Sequence, residues 1–594
     1  MCGIAGAFAY RAEAPPIDKA ELLRVRDAMV ARGPDAAGLW MAADGRVGFG
    51  HRRLAIIDLS EGGAQPMLDP ETGNWICFNG EIYNHQQLRA RLHHDGVATR
   101  TQSDTEVLLK LYAQRGEEMF SDLRGMYAFA LWDARRRELL LARDPFGIKP
   151  LYVADDGATI RFASQVKPLL QAPVDRRPEP AGHAGFLLWG SVPEPYTLYR
   201  GIRALPPGHW QRFSAAGAGR PVRFASIVDA LGRLPTASGA RTDDALDQIA
   251  AAVRDSVAAH MVADVPVGVF LSAGLDSTML AACAASAGEL RTLTLGFNEY
   301  ADGPNDEAGL ADEVAGLLHA KHALHRISAR DFECDRQHLI DAMDQPSIDG
   351  INVWFVSKAA AAQGLKVAIS GLGGDELFGS YPSFRQVPRL VSLMRRAPVG
   401  ERTGLLLRHL AQPFASALPS PKYAGLAEYG HSLSGAYLLR RALHMPWELA
   451  QLMDPAMARD GLEELATMNR LDASTEGLES DRLAVSALEM QWYMRNQLLR
   501  DADWAGMAHS LEIRVPLVDL QLLQHFVELP DFDANSEKRT IVRRVAPELP
   551  EGVLNRPKTG FAVPIHQWLN PGASSGVTRH RDWAMTLYRQ FAAA

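Results

Sequence analysis

The spacing of hydrophobic and polar residues changes near the middle of the chain. In about the first 165 residues, short β-type apolar runs are broken by glycine, and two stretches, 19–31 and 104–115, have helical character. The β-type runs include 47–49, 75–78, 128–132 and 138–142. Strands that meet helices in this way predict an α+β layered domain.

Beyond residue 242 the spacing becomes that of helices and fully buried strands. The apolar positions of a first helix follow helical spacing: Leu246, Ile249, Val253, Val257 and Met261. A buried strand at 265–271, a loop at 272–277, a helix and a strand at 291–297 come next, which is the order of a βαβ unit in a parallel sheet. The stretch 385–457 is rich in Leu, Arg and Ala and predicts a helical lobe beside this α/β sheet.

The sequence also predicts where the chain divides. It is too long for one hydrophobic core, so at least two domains are expected. Around 214–219 and again around 232–242, Ala, Gly, Ser, Pro and Arg replace any apolar period, as is typical of a linker. We therefore expect a first domain over residues 1–210, a linker over 211–242 and a second domain over 243–594.

Composition excludes several classes of partner. The 594 residues carry a net charge of −8 and contain no Lys/Arg run, so we expect no nucleic acid partner. The most apolar window, 269–288, is interrupted by Asp276, so we expect no membrane partner. No signal peptide is recognisable, and the cysteines form no CxxC pair, which favours a reduced, cytoplasmic protein without a disulfide framework. The cysteines are Cys2, Cys77, Cys283 and Cys334.

The second residue suggests a catalytic group. If Met1 is removed, Cys2 carries a thiol and a free α-amine, which combines a nucleophile with a base of pKa about 8. The alternative is that a cysteine at position 2 has no function.

A loop of small residues follows the predicted strand at 265–271. Its sequence is Ser272-Ala273-Gly274-Leu275-Asp276-Ser277, and its backbone N–H groups and the helix N-terminus after it suit a phosphate. It resembles the SGGxDS loop of the ATP pyrophosphatases. That resemblance implies that Ser272, Gly274 and Ser277 hold the pyrophosphate end of ATP and that Asp276 binds magnesium. A plain turn between a strand and a helix is the alternative.

A second loop follows the predicted strand at 367–369. Ser370 and Gly371 come first and Asp375 after them. Because parallel strands place their functional loops at the carboxyl edge, Asp375 is expected near Asp276, where two carboxylates and phosphate oxygens suit Mg²⁺. The alternative is that Asp375 only begins a helix.

Near the C-terminus, Lys558 lies in a loop punctuated by proline and glycine at 555–561. A lysine fixed there would stabilise negative charge on an adenylate or a tetrahedral intermediate. A solvated loop lysine is the alternative.

Four residues of the first domain suit a pocket for a glutamine amide. Arg53 offers a guanidinium for a carboxylate, Asn79 and Gly80 offer an amide and a backbone N–H for an oxyanion, and Asp104 offers a carboxylate for an ammonium group. Each has an alternative: Arg53 as a surface cation, Asn79-Gly80 as a hairpin turn and Asp104 as a helix cap.

The order of these motifs resembles that of class II glutamine amidotransferases. The motifs are Cys2-Gly3-Ile4, Arg32-Gly33-Pro34-Asp35, His51-Arg52-Arg53-Leu54, Phe78-Asn79-Gly80-Glu81-Ile82-Tyr83-Asn84, Ser103-Asp104-Thr105-Glu106 and Arg143-Asp144-Pro145-Phe146-Gly147. With the two loops above, segments 507–516 and 556–561 resemble glutamine-hydrolysing asparagine synthetases. The resemblance covers nearly the whole chain. It implies an Ntn-hydrolase-type αββα glutaminase domain, an ATP-pyrophosphatase domain with a parallel sheet, and a homodimer as a frequent assembly.

The resemblance also implies residue roles in the first domain. Cys2 would attack the glutamine amide with its own α-amine as base, while Asn79 and Gly80 hold the oxyanion. Arg53 and Asp104 would bind the α-carboxylate and α-ammonium groups of glutamine. The pocket would be completed by the backbone of Arg53, Leu54, Ala55, Ile56 and Ile57, and by Glu81.

In the second domain the resemblance implies ATP and Mg²⁺. Ammonia would arrive through an interior tunnel, Asp276 and Asp375 would bind the magnesium, and Lys558 would support the adenylate. The implied ATP contacts are Leu271, Ser272, Gly274, Asp276, Ser277, Leu295, Ser370 and Gly371.

Three positions depart from the family pattern. Ala273 stands where the family has glycine; if φ is positive there, its methyl group costs about 1 kcal/mol. Gln165 replaces a glutamate. Leu372 stands at a usually acidic position and offers no acid or base.

We therefore expect an enzyme that converts aspartate to asparagine with glutamine and ATP. Leu372 supports one alternative, amidation of another carboxylate such as a sugar acid or a biosynthetic intermediate. A glutaminase alone, or a regulatory protein that only binds nucleotide, is a third hypothesis, and Asp276, Asp375 and Lys558 speak against it.

Overall fold

A computed structural model describes most of the chain, and every structural statement below concerns these residues: 2–232, 242–286, 288–303, 305–396, 401–411, 420–527, 534–555, 563–569 and 578–593. Within these segments, no helix has the length and apolar character needed to cross a membrane.

Two antiparallel sheets face each other in the first part of the chain. The first sheet has the strand order Arg203–Ala204, Tyr152–Asp155, Thr159–Ala163, Gly3–Ala9, Val47–Arg53 and Ala36–Met41. The second has the order Gly217–Ala218, His209–Ser214, Glu138–Arg143, Gly125–Asp133, Trp75–Ile82 and Met67–Leu68, with Val222–Arg223 beside His209–Ser214. Phe8 of the first sheet packs edge-on against Trp132 of the second, with ring centroids 5.1 Å apart. The facing apolar sides form the core between the sheets.

Helices cover the outer faces of both sheets. Helix Lys19–Asp27 packs Leu22 and Val25 on the first sheet, and helices His85–His94 and Asp104–Arg115 pack on the second. The remaining helical elements of this region are Val30–Arg32, Glu61–Gly63, Gly116–Ser121, Val166–Leu169 and Pro180–Trp189. The order of layers is helix, sheet, sheet, helix. The αββα architecture predicted for the first domain is thereby confirmed, and so are its predicted strands and the helix over 104–115.

The second part of the chain is built on a parallel sheet of five strands. Their order is Lys321–Ile327, Arg291–Phe297, Val267–Phe270, Val367–Ile369 and Glu512–Arg514. The predicted strands at 265–271, 291–297 and 367–369 are therefore confirmed. Because all five strands run the same way, the loops that follow Val267–Phe270 and Val367–Ile369 leave at one edge of the sheet.

Helices surround this sheet and form the predicted lobe. They are Thr242–His260, Leu275–Ala285, Asn298–Tyr300, Ala308–Leu317, Ala329–Ala342, Ile351–Ala362, Gly374–Phe378, Ser383–Arg395, Glu401–Ala411, Pro421–Gly425, Leu426–Tyr429, Leu433–Arg441, Pro446–Gln451, Pro455–Leu465, Thr467–Ala473, Asp481–Leu488, Glu489–Leu499, Arg500–Ala508, Leu520–Val527, Ala534–Val545, Glu551–Leu554, Ile565–Leu569 and Thr578–Ala593. Asp481–Leu488, Glu489–Leu499 and Arg500–Ala508 follow one another without a break, and the middle segment has π-helical hydrogen bonds.

The linker predicted for 211–242 is wrong over its first part. Strand His209–Ser214 pairs with Glu138–Arg143, so the second sheet extends beyond residue 210. Helix Ile227–Leu231 then buries its apolar residues in the core of the parallel-sheet domain. The small residues around 214–219 form a turn within the sheet, and composition does not distinguish such a turn from a linker. Residues 233–241 lie outside the described segments.

Candidate functional site

Cys2 lies buried at the start of strand Gly3–Ala9, between the two sheets and the parallel-sheet domain. Its backbone nitrogen donates a hydrogen bond to Asn79 Oδ1 at 2.9 Å. Its carbonyl oxygen accepts one from Arg32 Nε at 3.1 Å. The side chain is only 8% exposed. Two contacts on opposite sides of Cys2 therefore fix its backbone.

The thiol of Cys2 is buried. Burial raises its pKa, and a backbone hydrogen bond from Leu54 acts in the opposite direction. A buried thiol of raised pKa remains protonated near neutral pH, so it requires a nearby base to become a nucleophile.

Asn79 and Gly80 belong to strand Trp75–Ile82, so the hairpin-turn alternative is wrong. Asn79 is fully buried, and its Oδ1 accepts the bond from Cys2. Its Nδ2 has no hydrogen-bond partner within the described part of the chain. Gly80 has φ +155°, and a Cβ there would lie 2.1 Å from the Met126 carbonyl oxygen. The pair thus presents an unused amide donor beside the Cys2 residue, and the neighbouring strand requires the glycine.

Arg53 is at the end of strand Val47–Arg53 and is 8% exposed, so it is not a surface cation. Its guanidinium donates to the Ser60 carbonyl at 2.9 Å and to the Asp58 carbonyl. The side chain therefore lies against the loop that contains these two carbonyls. Of the residues after it, Ala55 donates its backbone N–H to Asp35 Oδ2 at 2.8 Å.

Asp104 and Glu81 bring two carboxyl groups to the same region. Asp104 begins helix Asp104–Arg115 and accepts the Ile82 backbone N–H at 3.0 Å, while Ser103 provides the helix cap. Burial raises the pKa of the Asp104 carboxyl. Burial also raises the pKa of Glu81, whose Oε2 lies 3.6 Å from Arg514 Nη2 of the second domain. Asp104 and Glu81 are each 5% exposed.

The loop after strand Val267–Phe270 is closed by its own serines. Ser277 Oγ accepts the Ser272 backbone N–H at 3.1 Å, lies 3.0 Å from Ser272 Oγ, and donates to the Gly274 carbonyl at 3.2 Å. Helix Leu275–Ala285 begins directly after Gly274. Ala273 has φ +52°, so the left-handed conformation anticipated for this position is present. Such a compact loop before a helix N-terminus suits a phosphate group.

Asp276 and Asp375 come together, with Lys538 between them. Lys538 Nζ lies 2.7 Å from Asp276 Oδ2 and 3.7 Å from Asp375 Oδ1. A Cβ at Gly374 would lie 2.5 Å from Asp276 Cγ, so glycine is needed for this close approach. Lys538 is 7% exposed, and sequence reasoning missed it because nothing near it in helix Ala534–Val545 marks a site.

These side chains line one cavity of about 910 Å³. The predicted residues in its wall are Leu271, Ser272, Gly274, Asp276, Ser277, Leu295, Ser370, Gly371 and Asp375. Leu372 also lines it, so the departure from an acidic residue lies in the site itself. Tyr381, Arg385, Asp501 and Lys538 line it too and were not predicted. Lys558 lies outside the described residues.

Two elements in the wall of this cavity also contact the first domain near Cys2. In strand Glu512–Arg514, Ile513 lines the cavity, whereas Arg514 reaches Glu81 of the first domain. In helix Arg500–Ala508, Asp501 lines the cavity. Two residues further on, Asp503 forms an ion pair with Arg32, at 2.6 Å. One strand and one helix therefore contain both residues of the cavity wall and residues that contact the first domain near Cys2.

Comparison with known proteins gives two family matches. A family model described as "Glutamine amidotransferase domain" matches residues 1–225, and one described as "Asparagine synthase" matches residues 248–582. "Asparagine synthetase [glutamine-hydrolyzing] 1" of Bacillus subtilis (strain 168) is 34% identical, with 96% of this chain and 88% of the relative covered. A "Putative asparagine synthetase [glutamine-hydrolyzing]" of Mycobacterium bovis is 34% identical, covering 96% and 89%. "Asparagine synthetase B [glutamine-hydrolyzing]" of Escherichia coli (strain K12) is 32% identical, covering 66% and 67%.

Proposed function

The chain belongs to the glutamine-hydrolysing asparagine synthetase family, and we propose that it makes L-asparagine from L-aspartate with nitrogen from L-glutamine. The reaction consumes ATP, L-aspartate, L-glutamine and water and yields AMP, diphosphate, L-asparagine and L-glutamate. The observation that supports this proposal is the position of strand Glu512–Arg514: Ile513 lines the cavity, and Arg514 Nη2 lies 3.6 Å from Glu81 Oε2, in the strand that also contains Asn79. We propose that ammonia released at Cys2 passes this strand to reach the cavity.

In the proposed first half-reaction, the Cys2 thiol attacks the side-chain amide carbon of glutamine. The α-amine of the processed chain accepts the thiol proton and then gives a proton to the leaving ammonia. Asn79 Nδ2 and the Gly80 N–H donate to the oxyanion of the tetrahedral intermediate. Water then hydrolyses the thioester and releases glutamate. The unused Nδ2 donor of Asn79 supports its role, since a buried donor without a partner is costly unless a ligand uses it.

We propose that Arg53 and Asp104 bind the two charged ends of glutamine. The α-carboxylate would take the Arg53 guanidinium in exchange for the Ser60 carbonyl, and the α-ammonium group would contact Asp104. Leu54, Ala55, Ile56, Ile57 and Glu81 would complete the pocket.

In the proposed second half-reaction, ATP binds in the cavity and a substrate carboxylate oxygen attacks the α-phosphorus. Diphosphate leaves and an acyl adenylate forms. Ser272, Gly274 and Ser277 would hold the diphosphate, Leu271 and Leu295 would lie near the nucleoside, and Ser370 and Gly371 would contact ATP from the second loop. Lys538 places a buried cation in the same wall, where it offsets phosphate charge.

The residues present fit a magnesium ion. Two carboxylates, Asp276 and Asp375, lie side by side where Gly374 leaves room, and phosphate oxygens would complete a set of hard oxygen ligands. Magnesium would neutralise charge on the diphosphate leaving group. Lys538 between the carboxylates keeps them together before nucleotide binds.

Ammonia then attacks the acyl carbon of the adenylate, AMP leaves with the electrons of the acyl–oxygen bond, and the attached nitrogen releases one proton to water as the amide forms. Leu372 supplies no base at this point, which suits an ammonia molecule that arrives neutral from the adjoining pocket. We propose that Lys558 supports the adenylate. We further propose a cytoplasmic enzyme, able to form a homodimer, whose glutaminase part extends to the end of strand Val222–Arg223.

The proposal is tested by replacing the nucleophile. Cys2→Ala should abolish glutamine-dependent synthesis and leave ammonia-dependent synthesis intact, and the exposed Cys334→Ala serves as the matched control. Loss of both activities in Cys2→Ala would contradict two separate sites. Radiolabelled ATP should give AMP, and formation of ADP would contradict adenylation.

A panel of carboxylates, with diphosphate release as the signal, tests the acceptor. Aspartate should give the strongest signal. Release with a sugar acid and none with aspartate would instead favour amidation of another carboxylate, the hypothesis that Leu372 raised.

A further inference from the structure

One buried ion pair joins Cys2 to the parallel-sheet domain. The Arg32 guanidinium donates to both oxygens of the Asp503 carboxylate, at 2.6 and 3.0 Å. Its Nε donates to the Cys2 carbonyl oxygen at 3.1 Å. Arg32 is 1% exposed and Asp503 6%, so solvent does not screen the pair. A two-pronged contact of this kind fixes the guanidinium plane as well as its position.

We infer that Asp503 is a positioning residue for glutamine hydrolysis: by holding Arg32, it fixes the Cys2 carbonyl and thereby the direction of the thiol and the α-amine. The inference rests on the proposed function, because it takes Cys2 as the nucleophile. Asp503 does not touch glutamine in this view. It acts through Arg32 alone.

Cys2 needs such a support because it becomes the first residue once Met1 is removed. A terminal residue has a chain neighbour on one side only, so its backbone rotates more freely than that of an internal residue. The nitrogen of Cys2 is held by Asn79, and the carbonyl is held by Arg32. With both groups fixed, the Cα and the thiol start from one orientation, which is what proximity catalysis requires.

The support comes from the domain that receives the ammonia. Asp503 lies in helix Arg500–Ala508, and Asp501 of the same helix lines the cavity. A second contact holds the turn of Arg32 in place, since Ser510 Oγ donates to the Ala31 carbonyl at 2.6 Å. The Cys2 site is therefore complete only when the two domains are docked. Glutamine hydrolysis is thereby tied to the state in which ammonia has a receiving site.

The experiment is steady-state glutamine hydrolysis by the full-length Asp503→Asn variant. The amide keeps the size of the side chain but replaces one acceptor oxygen with a donor. We expect kcat to fall about tenfold or more, since small displacements of a nucleophile have effects of this size. KM for glutamine should stay close to the wild-type value because the glutamine contacts are unchanged. Asp503→Glu should recover part of kcat because it restores the carboxylate.

The matched control is another ion pair between the same domains. Arg124 Nε lies 2.7 Å from Asp519 Oδ2, and this aspartate is also buried. Neither residue contacts Cys2. Asp519→Asn should therefore leave kcat for glutamine unchanged. An equal loss of kcat in Asp519→Asn would overturn the inference, because general loosening of the interface would then explain both variants.

Wild-type kcat in Asp503→Asn would also overturn it. If that variant is insoluble, Arg32→Lys provides the same test. Lysine keeps a cation beside Asp503, but it lacks the planar guanidinium that donates to Asp503 and to the Cys2 carbonyl at the same time. Ammonia-dependent synthesis reports on folding in every variant. Failure of the proposed function looks different: Cys2→Ala would then hydrolyse glutamine at the wild-type rate.

Discussion

Asn79 offers the sharpest test of the oxyanion assignment because its two side-chain atoms have different tasks. Oδ1 accepts the Cys2 backbone N–H at 2.9 Å, and Nδ2 is a buried donor without a partner among the described residues. Asn79→Asp keeps an acceptor for Cys2 and removes the donor. Asn79→Ala removes both. The two variants therefore separate positioning of Cys2 from stabilisation of the oxyanion.

The expected magnitude follows from the loss of one donor. Removing a single oxyanion donor costs about 10²- to 10³-fold in kcat, or roughly 2.7–4 kcal/mol of barrier. If the donor is what matters, Asn79→Asp loses at least as much as Asn79→Ala, since a carboxylate would also repel the developing negative charge. If Asn79 only holds Cys2, Asn79→Asp remains near the wild-type rate.

The assay is glutamate release from glutamine under saturating conditions, with ammonia-dependent asparagine synthesis measured on the same preparations. The second activity should be unchanged, because its cavity is lined by residues of the second domain. A kcat for Asn79→Asp within about threefold of wild type would refute the oxyanion assignment, given the expected loss of 10²-fold or more.

Three further predictions concern the second domain. Ala273→Gly relieves about 1 kcal/mol of left-handed strain, but it stabilises the unfolded chain by about 0.4–1 kcal/mol through added entropy. The free energy of unfolding in urea should therefore nearly equal that of wild type. A large loss of stability would contradict the strain at Ala273. Burial raises the pKa of Asp501 to about 8. The folded state then keeps a proton that the unfolded chain loses above about pH 4, so wild type loses stability as pH rises to 8. The Tm of Asp501→Asn relative to the Tm of wild type should therefore increase from pH 5 to pH 8. A Tm difference between the two proteins that stays constant over this range would exclude the titration of Asp501. Lys538→Met should raise KM for ATP about tenfold, because one charge-assisted contact of about 1.4 kcal/mol is lost. The glutaminase kcat should be unchanged. An unchanged KM for ATP would show that Lys538 does not contribute to nucleotide binding.

Much of the fold was predictable because its signals are local. The strand at Arg291–Phe297 and the helix at Asp104–Arg115 have the predicted bounds, since apolar spacing and flanking residues define them. The composition around 214–219 predicts a linker, and this prediction is wrong for the converse reason. Glycine and alanine favour turns anywhere, and only the pairing of His209–Ser214 with Glu138–Arg143 reveals a sheet there.

The candidate site likewise contains some residues that sequence motifs predict and others that they do not. Cys2, Asn79 and the loop at Ser272 were recognisable from motifs, and Ala273, which stands where the family has glycine, has a positive φ in the structure. Lys538 was not recognisable, because a lysine in a helix becomes significant only when folding brings it to Asp276. No motif predicts that the Arg53 guanidinium donates hydrogen bonds to loop carbonyl oxygens.

The sequence by itself determined which chemical groups this protein possesses: a thiol at residue 2, an Asn-Gly pair, a loop of small residues and two carboxylates that follow predicted strands. These depend on residue type and short spacing, which the chain displays directly. Only the tertiary structure decided how the groups relate across long separations. It placed Lys538 beside Asp276. It also placed Arg514 of strand Glu512–Arg514 beside Glu81 of the first domain. It also brought Arg32 and Asp503 together as a buried ion pair. These residues are far apart in the chain, so their spacing in the sequence carries no information about the contact.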